Sequence, residues 1–216
     1  MKKIAVILSG CGVYDGSEIH EAVMTLLAID KLGASYEIFA PDINQYHVIN
    51  HLTGEVMNET RNVLIESARI ARGKIKPLKD YKASNYDGLV LPGGFGAAKN
   101  LSNYAFKHSQ MTVIPELEKA ILDTYKEGKP IGALCIAPVI VAKIINKVTV
   151  TIGSDDNTAA HILSMGAFHK NANKVDVVVD TENKIVTSPC YMLASSIKDI
   201  ATGAENTIRA MLEMMK

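Results

Sequence analysis

The chain has 216 residues, nearly half of them hydrophobic, with basic and acidic side chains balanced at 23 each. This size supports one substantial hydrophobic core, so we expect a single domain over residues 1–216. Without net charge the protein has no field to attract nucleic acid, an anionic membrane or an acidic substrate, and we expect its partner to be a small molecule or a second copy of the chain.

The first half of the chain predicts alternating strands and helices. The apolar run at 4–8 is too short for a signal sequence or a membrane span, and we interpret it as the first strand. After a glycine-rich turn, apolar residues at helical spacing predict a helix over residues 18–32 that ends at Gly33. The patterns that follow predict a strand at 36–41, short hairpin strands around 47–49 and 55–57, and a helix at 62–72.

The second half continues the alternation. In chain order it predicts a strand at 88–91, a helix at 113–125, a strand at 131–134, a helix at 137–145 and a strand at 148–151. Such alternation implies parallel strands with right-handed crossovers, in a doubly wound α/β sandwich. Two further elements are predicted at the end: an antiparallel hairpin from 175–179 and 184–187, and a closing helix over 193–215 that is broken or weakened at Gly203.

Cys135 is the candidate nucleophile. It lies between an apolar strand and an apolar helical stretch, on a sharp turn where the helix dipole and free N–H groups favour thiolate over thiol. The residues 9–12 and 92–94 also follow predicted parallel strands, so all three segments should meet at the edge where such sheets bind ligands. The alternative interpretation of Cys135 is a small, packed hydrophobic residue.

Two glutamates at the start of the first predicted helix are candidate partners of the cysteine. Glu18 and Glu21 lie three residues apart, on one helix face beside the same edge of the sheet. A carboxyl group desolvated next to a thiolate should have a raised pKa, so it could hold a proton and exchange it with substrate. The alternative interpretation is a pair of solvated residues in a first helical turn, more so for Glu18 than for Glu21.

Backbone N–H groups near the cysteine are candidates for an oxyanion hole. Gly93 and Gly94 end a strand and can bring bare N–H groups close to a substrate, and Ile136 follows the cysteine directly. The glycine pair alone could also mark only a tight turn. Since Ile136 stands where a Cys-His dyad would place its base, the sequence disfavours peptide or glutamine hydrolysis.

The remaining cysteines and histidines predict neither a metal site nor a disulfide. Cys11 and Cys190 are far from Cys135 in the sequence, and no Cys-x-x-Cys pair is present, so we expect reduced thiols and a cytoplasmic location. His47 and His51 share a ligand spacing, but no further ligands complete a set of four. Cys11 and Cys190 could lie near the same pocket or simply be packed, and neither is assigned a catalytic role.

Three motifs resemble a known family. Residues 15–21, 91–101 and 133–138 resemble the PfpI-like branch of the class I glutamine amidotransferase-like superfamily, and within it the ElbB family; residues 187–194 resemble that family's closing motif. The resemblance implies a three-layer flavodoxin-like sandwich with a mostly parallel central sheet. It also implies homodimers, Cys135 on a nucleophile elbow, and a protonated partner at Glu21.

The resemblance further implies a function. Proteins of the ElbB type are similar to glyoxalases, which predicts conversion of the small dicarbonyl glyoxal to glycolate through a cysteine hemithioacetal, without cofactor or metal. In that role Gly93, Gly94, Ile136 and Glu18 would contact substrate or its oxyanion. Two alternatives stay open: a redox-sensing or partner-binding module based on Cys135, and a different carbonyl or amide chemistry, connected with isoprenoids or glycated groups, of which glyoxal consumption is a side reaction.

Overall fold

A computed structural model describes residues 1–215, which form α-helices around a central β-sheet. The strands are β1 (Lys3–Ile7), β2 (Ser35–Ala40), β3 (Lys76–Pro77), β4 (Gly88–Leu91), β5 (Ile131–Leu134), β6 (Thr149–Val150), β7 (Phe168–His169), β8 (Val178–Asp180) and β9 (Ile185–Ser188). The helices are α1 (Ile19–Lys31), α2 (Val63–Ile70), α3 (Phe95–Lys99), α4 (Tyr104–Lys107), α5 (Pro115–Lys126), α6 (Pro138–Ile144), α7 (Asp156–Ser164) and α8 (Ile197–Met214).

The central sheet has seven strands in the order β3-β2-β1-β4-β5-β9-β8. All neighbouring pairs are parallel except β8 and β9, which form the expected antiparallel hairpin and place β8 at one edge of the sheet. The predicted three-layer α/β fold with a mostly parallel sheet is therefore confirmed. A tight turn cannot connect two parallel strands, so each pair is joined by a longer crossover that contains a helix. These helices cover the faces of the sheet and form the outer layers.

Side chains alternate between the two faces of the sheet and build a core on each. Along β1, Ala5 and Ile7 pack with residues of α5 and α6, whereas Ile4 and Val6 pack with residues of α1 and α8. This is the two-sided burial expected of a parallel sheet covered by helices. It also places the start of α1 and the end of β5 at the carboxyl edge of the sheet.

The pairing of one predicted strand and the course of the closing helix differ from the prediction. The strand predicted at 148–151 does not join the central sheet: β6 pairs with β7 in a separate two-stranded sheet, because β9 occupies the place beside β5, with Ile131 opposite Ile185. The closing helix is not broken, since α8 runs without interruption through Gly203. A Cβ at Gly203 would lie 3.1 Å from Ser188 Oγ, so this glycine allows close packing on β9.

Shorter elements are where sequence patterns predict least. The hairpin expected around residues 47–57 is reduced to one antiparallel bridge between Ile49 and Val56. The structure also contains α3, α4 and α7, which the sequence analysis did not predict. Two of these helices are only four or five residues long, too short for a hydrophobic period to be recognised.

Candidate active site

Cys135 lies on a strained turn between β5 and α6. Its φ of 58° is left-handed, a conformation that costs a non-glycine residue about 1–2 kcal/mol. The surrounding backbone holds this conformation: Cys135 N–H donates to the Ser188 carbonyl at 2.9 Å, and Ala137 N–H donates to the Leu134 carbonyl at 2.9 Å. Only 8% of the residue is exposed. The expected nucleophile elbow is thus present, and such strain is typical of functional residues.

Glu21 reaches this cysteine from the first turn of α1 and is completely buried. Its Oε2 accepts from the Gly93 N–H at 3.0 Å and its Oε1 from the Tyr191 N–H at 3.2 Å. The carboxyl group also hydrogen-bonds the Cys135 side chain. Burial raises the pKa of Glu21 to about 8, although these hydrogen bonds lower it. The carboxyl group therefore carries a proton at neutral pH.

The thiol of Cys135 does not have the lowered pKa that its place before a helix predicts. Burial raises the pKa well above its usual range, and a negative charge on Glu21 would raise it further. The Gly94 N–H, which hydrogen-bonds the sulfur, lowers it only in part. The helix that follows has just seven residues, so its dipole does not offset the desolvation. The resting pair is therefore a neutral acid beside a neutral thiol.

The two glycines after β4 have different tasks. A Cβ at Gly93 would overlap Cys135 Cβ and lie 2.7 Å from Glu21 Oε2, so only glycine lets the two functional side chains meet. The Gly93 N–H was expected in the oxyanion hole, but it donates to the Glu21 carboxyl group instead. Gly94, with φ at 99°, directs its N–H toward the cysteine sulfur.

Ile136 supplies the second candidate oxyanion donor. Within residues 1–215, no hydrogen bond from its N–H to a protein acceptor is formed, although it is next to the nucleophile. The Ile136 N–H, together with the Gly94 N–H that points at the sulfur, is therefore a candidate donor to a developing oxyanion.

Glu18 joins α1 to the loop after β4. Its Oε2 caps the helix by accepting from the Glu21 N–H at 2.7 Å, and its own N–H donates to the Gly93 carbonyl at 3.0 Å. Glu18 is therefore a buried N-cap and not a solvated residue. Its carboxylate also lines the cavity over the cysteine, and its charge contributes to the raised pKa of Glu21.

Tyr191 is a site residue that the residue patterns alone did not identify. Besides its N–H bond to Glu21, its hydroxyl lies 2.9 Å from His20 Nδ1 at the start of α1. The signal was the motif at 187–194, which was noted only as part of a resemblance. Cys190, adjacent to it, is fully buried and packs with Cys135, whereas Cys11 lies near Glu66 and does not line the cavity.

A cavity of about 480 Å³ opens over Cys135. It is lined by Val13, Glu18, Gly94, Phe95, Ala98, Tyr104, Ala105, His108, Cys135, Ile136, Asp155, Asn157, Thr158, His161, Tyr191 and Met192. The residues that the structure describes contain no cluster of three or more His, Cys, Asp or Glu side chains able to hold a metal ion. The groups available for chemistry at this site are therefore a cysteine, a neutral carboxyl group and two N–H donors.

A mostly parallel sheet with a cysteine elbow beside a buried glutamate defines a protein of the class I glutamine amidotransferase-like superfamily. The chain belongs to the DJ-1/PfpI family, whose family model matches residues 13–192. It is similar to the human mitochondrial protein named glutamine amidotransferase-like class 1 domain-containing protein 3, with 45% identity covering 98% of this chain and 83% of the human one. It is also similar to the mitochondrial ES1 protein of Danio rerio, with 31% identity covering 88% of this chain and 76% of that protein.

Solved structures agree with this assignment. A crystal structure from Ehrlichia chaffeensis, described as an isoprenoid biosynthesis protein with an amidotransferase-like domain, is 39% identical and superposes with a TM-score of 0.95 over 100% of both chains. The rapid encystment protein of Francisella tularensis shares the fold, with a TM-score of 0.65 at 15% identity over 100% of both chains. Among residues 1–215, no helix is long and apolar enough to cross a membrane.

Proposed function

We propose that the protein is a cofactor-independent glyoxalase of the ElbB type that converts glyoxal to glycolate. The observation that carries the proposal is the hydrogen-bonded pair of Cys135 and the buried Glu21, a nucleophile in contact with a group able to take and return protons. Membership of the DJ-1/PfpI family supports it, since that family includes glyoxalases.

The reaction begins when the Cys135–Glu21 pair has lost one proton. The Glu21 carboxylate takes the thiol proton while the sulfur attacks one aldehyde carbon, and the carbonyl π electrons move onto oxygen. The N–H groups of Gly94 and Ile136 stabilise that oxyanion. Glu21 then returns the proton to the oxygen, which gives a hemithioacetal and leaves the carboxylate free for the next step.

Proton transfer between the two carbons completes the chemistry. Glu21 removes the C–H proton of the hemithioacetal carbon, giving an enediolate. The hydroxyl proton then moves to the neighbouring oxygen, and Glu21 returns its proton to the neighbouring carbon, which gives a glycolyl thioester. Water then displaces the sulfur, which releases glycolate and restores the thiol. Glyoxal plus one water equals glycolic acid, so the internal oxidation of one carbon and reduction of the other need no external oxidant.

The direct test is glycolate formation from glyoxal, followed by proton NMR in amine-free buffer. The wild type should make many glycolate molecules per protein, Cys135→Ala should make none above the uncatalysed rate, and Cys11→Ala should match the wild type. Full turnover by Cys135→Ala, or a single stoichiometric event in the wild type, would refute the proposal.

A redox-sensing role of Cys135 is the second candidate, supported by its contacts with Glu21 and the Gly94 N–H, which could hold a sulfinate. The raised pKa of the thiol speaks against it, because oxidation follows thiolate character. Intact mass after mild peroxide separates the two: selective addition of two oxygens at Cys135, without glyoxal turnover, would favour the sensor.

We also propose where the protein is located and how it assembles. It forms a homodimer and binds a small dicarbonyl substrate, with neither nucleic acid nor a membrane as partner. The cytoplasmic location competes with the mitochondrial one that the human and fish relatives carry in their names. The name of the Ehrlichia chaffeensis relative keeps carbonyl chemistry linked to isoprenoids as an alternative.

A further inference from the structure

The cavity over Cys135 is much larger than glyoxal needs. Its volume of about 480 Å³ is in the range of pockets that hold drug-sized ligands. At about 30 Å³ for each water in the liquid, it could contain on the order of fifteen waters. Glyoxal, with two carbons and two oxygens, would leave most of that space filled with solvent.

The walls are mostly apolar. Their hydrophobic side chains are those of Val13, Phe95, Ala98, Ala105, Ile136 and Met192. Phe95 is 47% exposed, so an aromatic ring faces accessible space beside the nucleophile's loop. Apolar walls of this kind gain free energy only when a substrate covers them with apolar surface.

The polar groups of the cavity come mainly from α4 and α7. The Tyr104 hydroxyl lies 2.9 Å from His161 Nδ1, and His108 stacks on His161 with ring centroids 4.9 Å apart. Thr158 hydrogen-bonds both Tyr104 and Asp155. These side chains offer hydrogen-bonding groups and aromatic faces for the end of a substrate that extends beyond the reacting aldehyde.

Charge selects further among such substrates. Glu18 and Asp155 contribute carboxylates, and the part of the chain that the structure describes adds no Lys or Arg to the lining. The nearby Lys99 instead bonds the Tyr14 carbonyl at 3.0 Å. A substrate ending in a carboxylate or phosphate would meet the like charges of Glu18 and Asp155, with no Lys or Arg in the described lining to pair with.

We propose that this cavity binds 2-oxoaldehydes larger than glyoxal, with an aromatic or branched apolar body and an uncharged or cationic polar end. The inference deepens the proposed glyoxalase function, on which it rests. The aldehyde reacts at Cys135, the body covers Phe95 and the apolar wall, and the polar end meets the side chains of α4 and α7.

The test compares kcat/KM for glyoxal, phenylglyoxal, 4-hydroxyphenylglyoxal and 4-carboxyphenylglyoxal, with each 2-hydroxy acid product quantified by NMR. Phenylglyoxal should exceed glyoxal by tenfold or more, and the 4-carboxy compound should fall tenfold or more below its 4-hydroxy counterpart. Turnover of glyoxal that equals or exceeds that of phenylglyoxal, or an equally good 4-carboxy substrate, would overturn the inference and leave the glyoxalase proposal standing.

Filling the cavity gives an independent test. Ala105→Leu should lower the ratio of kcat/KM for phenylglyoxal over glyoxal at least fivefold, whereas Ala160→Leu, on the exposed side of α7, should leave the ratio unchanged. Acetophenone, which lacks the aldehyde, should bind the wild type and compete with phenylglyoxal. If no aldehyde is turned over, the glyoxalase proposal fails. Binding of acetophenone that Ala105→Leu weakens would still support the pocket, and absence of binding would refute it.

Discussion

At the scale of single residues, two costs coincide at the site. Cys135 is held in a left-handed conformation, and Glu21 is buried with no ion-pair partner among residues 1–215. A residue that only packs would avoid such costs. A glycine at position 135 would relieve the backbone strain, and an apolar side chain at position 21 would avoid burying a carboxyl group. Together they place a thiol against a carboxyl group whose proton can move within the site.

The pH dependence of turnover follows from this pair. Activity needs the pair to lose one proton, and burial raises the pKa of Glu21 to about 8. Below pH 8, kcat/KM for glyoxal should therefore rise about tenfold per pH unit, and it should level off above pH 8. Rates between pH 5.5 and 9.5 measure it; a profile that is flat from pH 6 to 8 would contradict a neutral resting pair.

Glu18 acts on the pH profile through Glu21, as a positioning residue. Its charge raises the pKa of Glu21, and a glutamine at position 18 keeps an oxygen to cap α1. Glu18→Gln should therefore move the midpoint of the profile below that of the wild type. Glu116→Gln, on the exposed first turn of α5, removes the same charge and should not move it. Equal midpoints in all three proteins would show that Glu18 acts only as a cap.

The meeting of Cys135 with a glutamate of α1 could be predicted from the sequence, because strand ends and helix starts locate both, and the family resemblance indicated Glu21 over Glu18. The pKa of the thiol that results from their contact could not be predicted. The helix dipole predicted a lowered thiol pKa, but desolvation, which depends on the packing of distant segments, outweighs it. Tyr191 contacts Glu21 across 170 positions of the chain, so local patterns carry no signal of that bond.

At the scale of elements, the loop after β4 brings α1 and the end of β5 together. Gly93 donates its N–H to Glu21, accepts from the Glu18 N–H, and leaves no room for a Cβ beside Cys135. The site therefore depends on one backbone segment that contacts both functional side chains.

Gly93→Ala should abolish glyoxal turnover and lower the free energy of unfolding by about 1–3 kcal/mol, because the added methyl group overlaps Cys135 and crowds Glu21. Gly128→Ala is the control: its Cβ would meet nothing within 4 Å, so only backbone strain of about 1 kcal/mol is expected, with activity kept. Denaturant unfolding and the glycolate assay measure both effects. A fully active Gly93→Ala would contradict the described packing.

Elements with strong periodicity were predicted well, but the order in which the strands lie beside one another in the sheet was not. The bounds of β4 and β5 match the prediction because both strands are short apolar runs between turn residues. The separate pairing of β6 was missed because which strand lies beside β5 is decided by the whole sheet. Gly203 was judged by helix propensity, whereas its close contact with Ser188 explains why α8 passes through it unbroken.

At the scale of the whole molecule, a buried neutral acid links folding to pH. The folded protein keeps the Glu21 proton between pH 4.5 and about 8, where the unfolded chain loses it. This contribution to stability is therefore largest at low pH and falls as pH rises through that window, by about 1.4 kcal/mol per pH unit. The difference in unfolding free energy between the wild type and Glu21→Gln isolates this contribution, since the other titrating groups are common to both proteins. A difference in unfolding free energy that is independent of pH from 5 to 8 would contradict it.

The protonation state of Glu21 is the central claim, and carbon-13 NMR of protein labelled at the glutamate side-chain carboxyl carbons measures it most directly. One resonance should titrate near pH 8 and be missing from Glu21→Gln, while Cys135→Ala, which removes the interacting thiol, should change its midpoint. Titration of every glutamate carboxyl below about pH 6 would contradict the account, because Glu21 would then be a carboxylate at neutral pH.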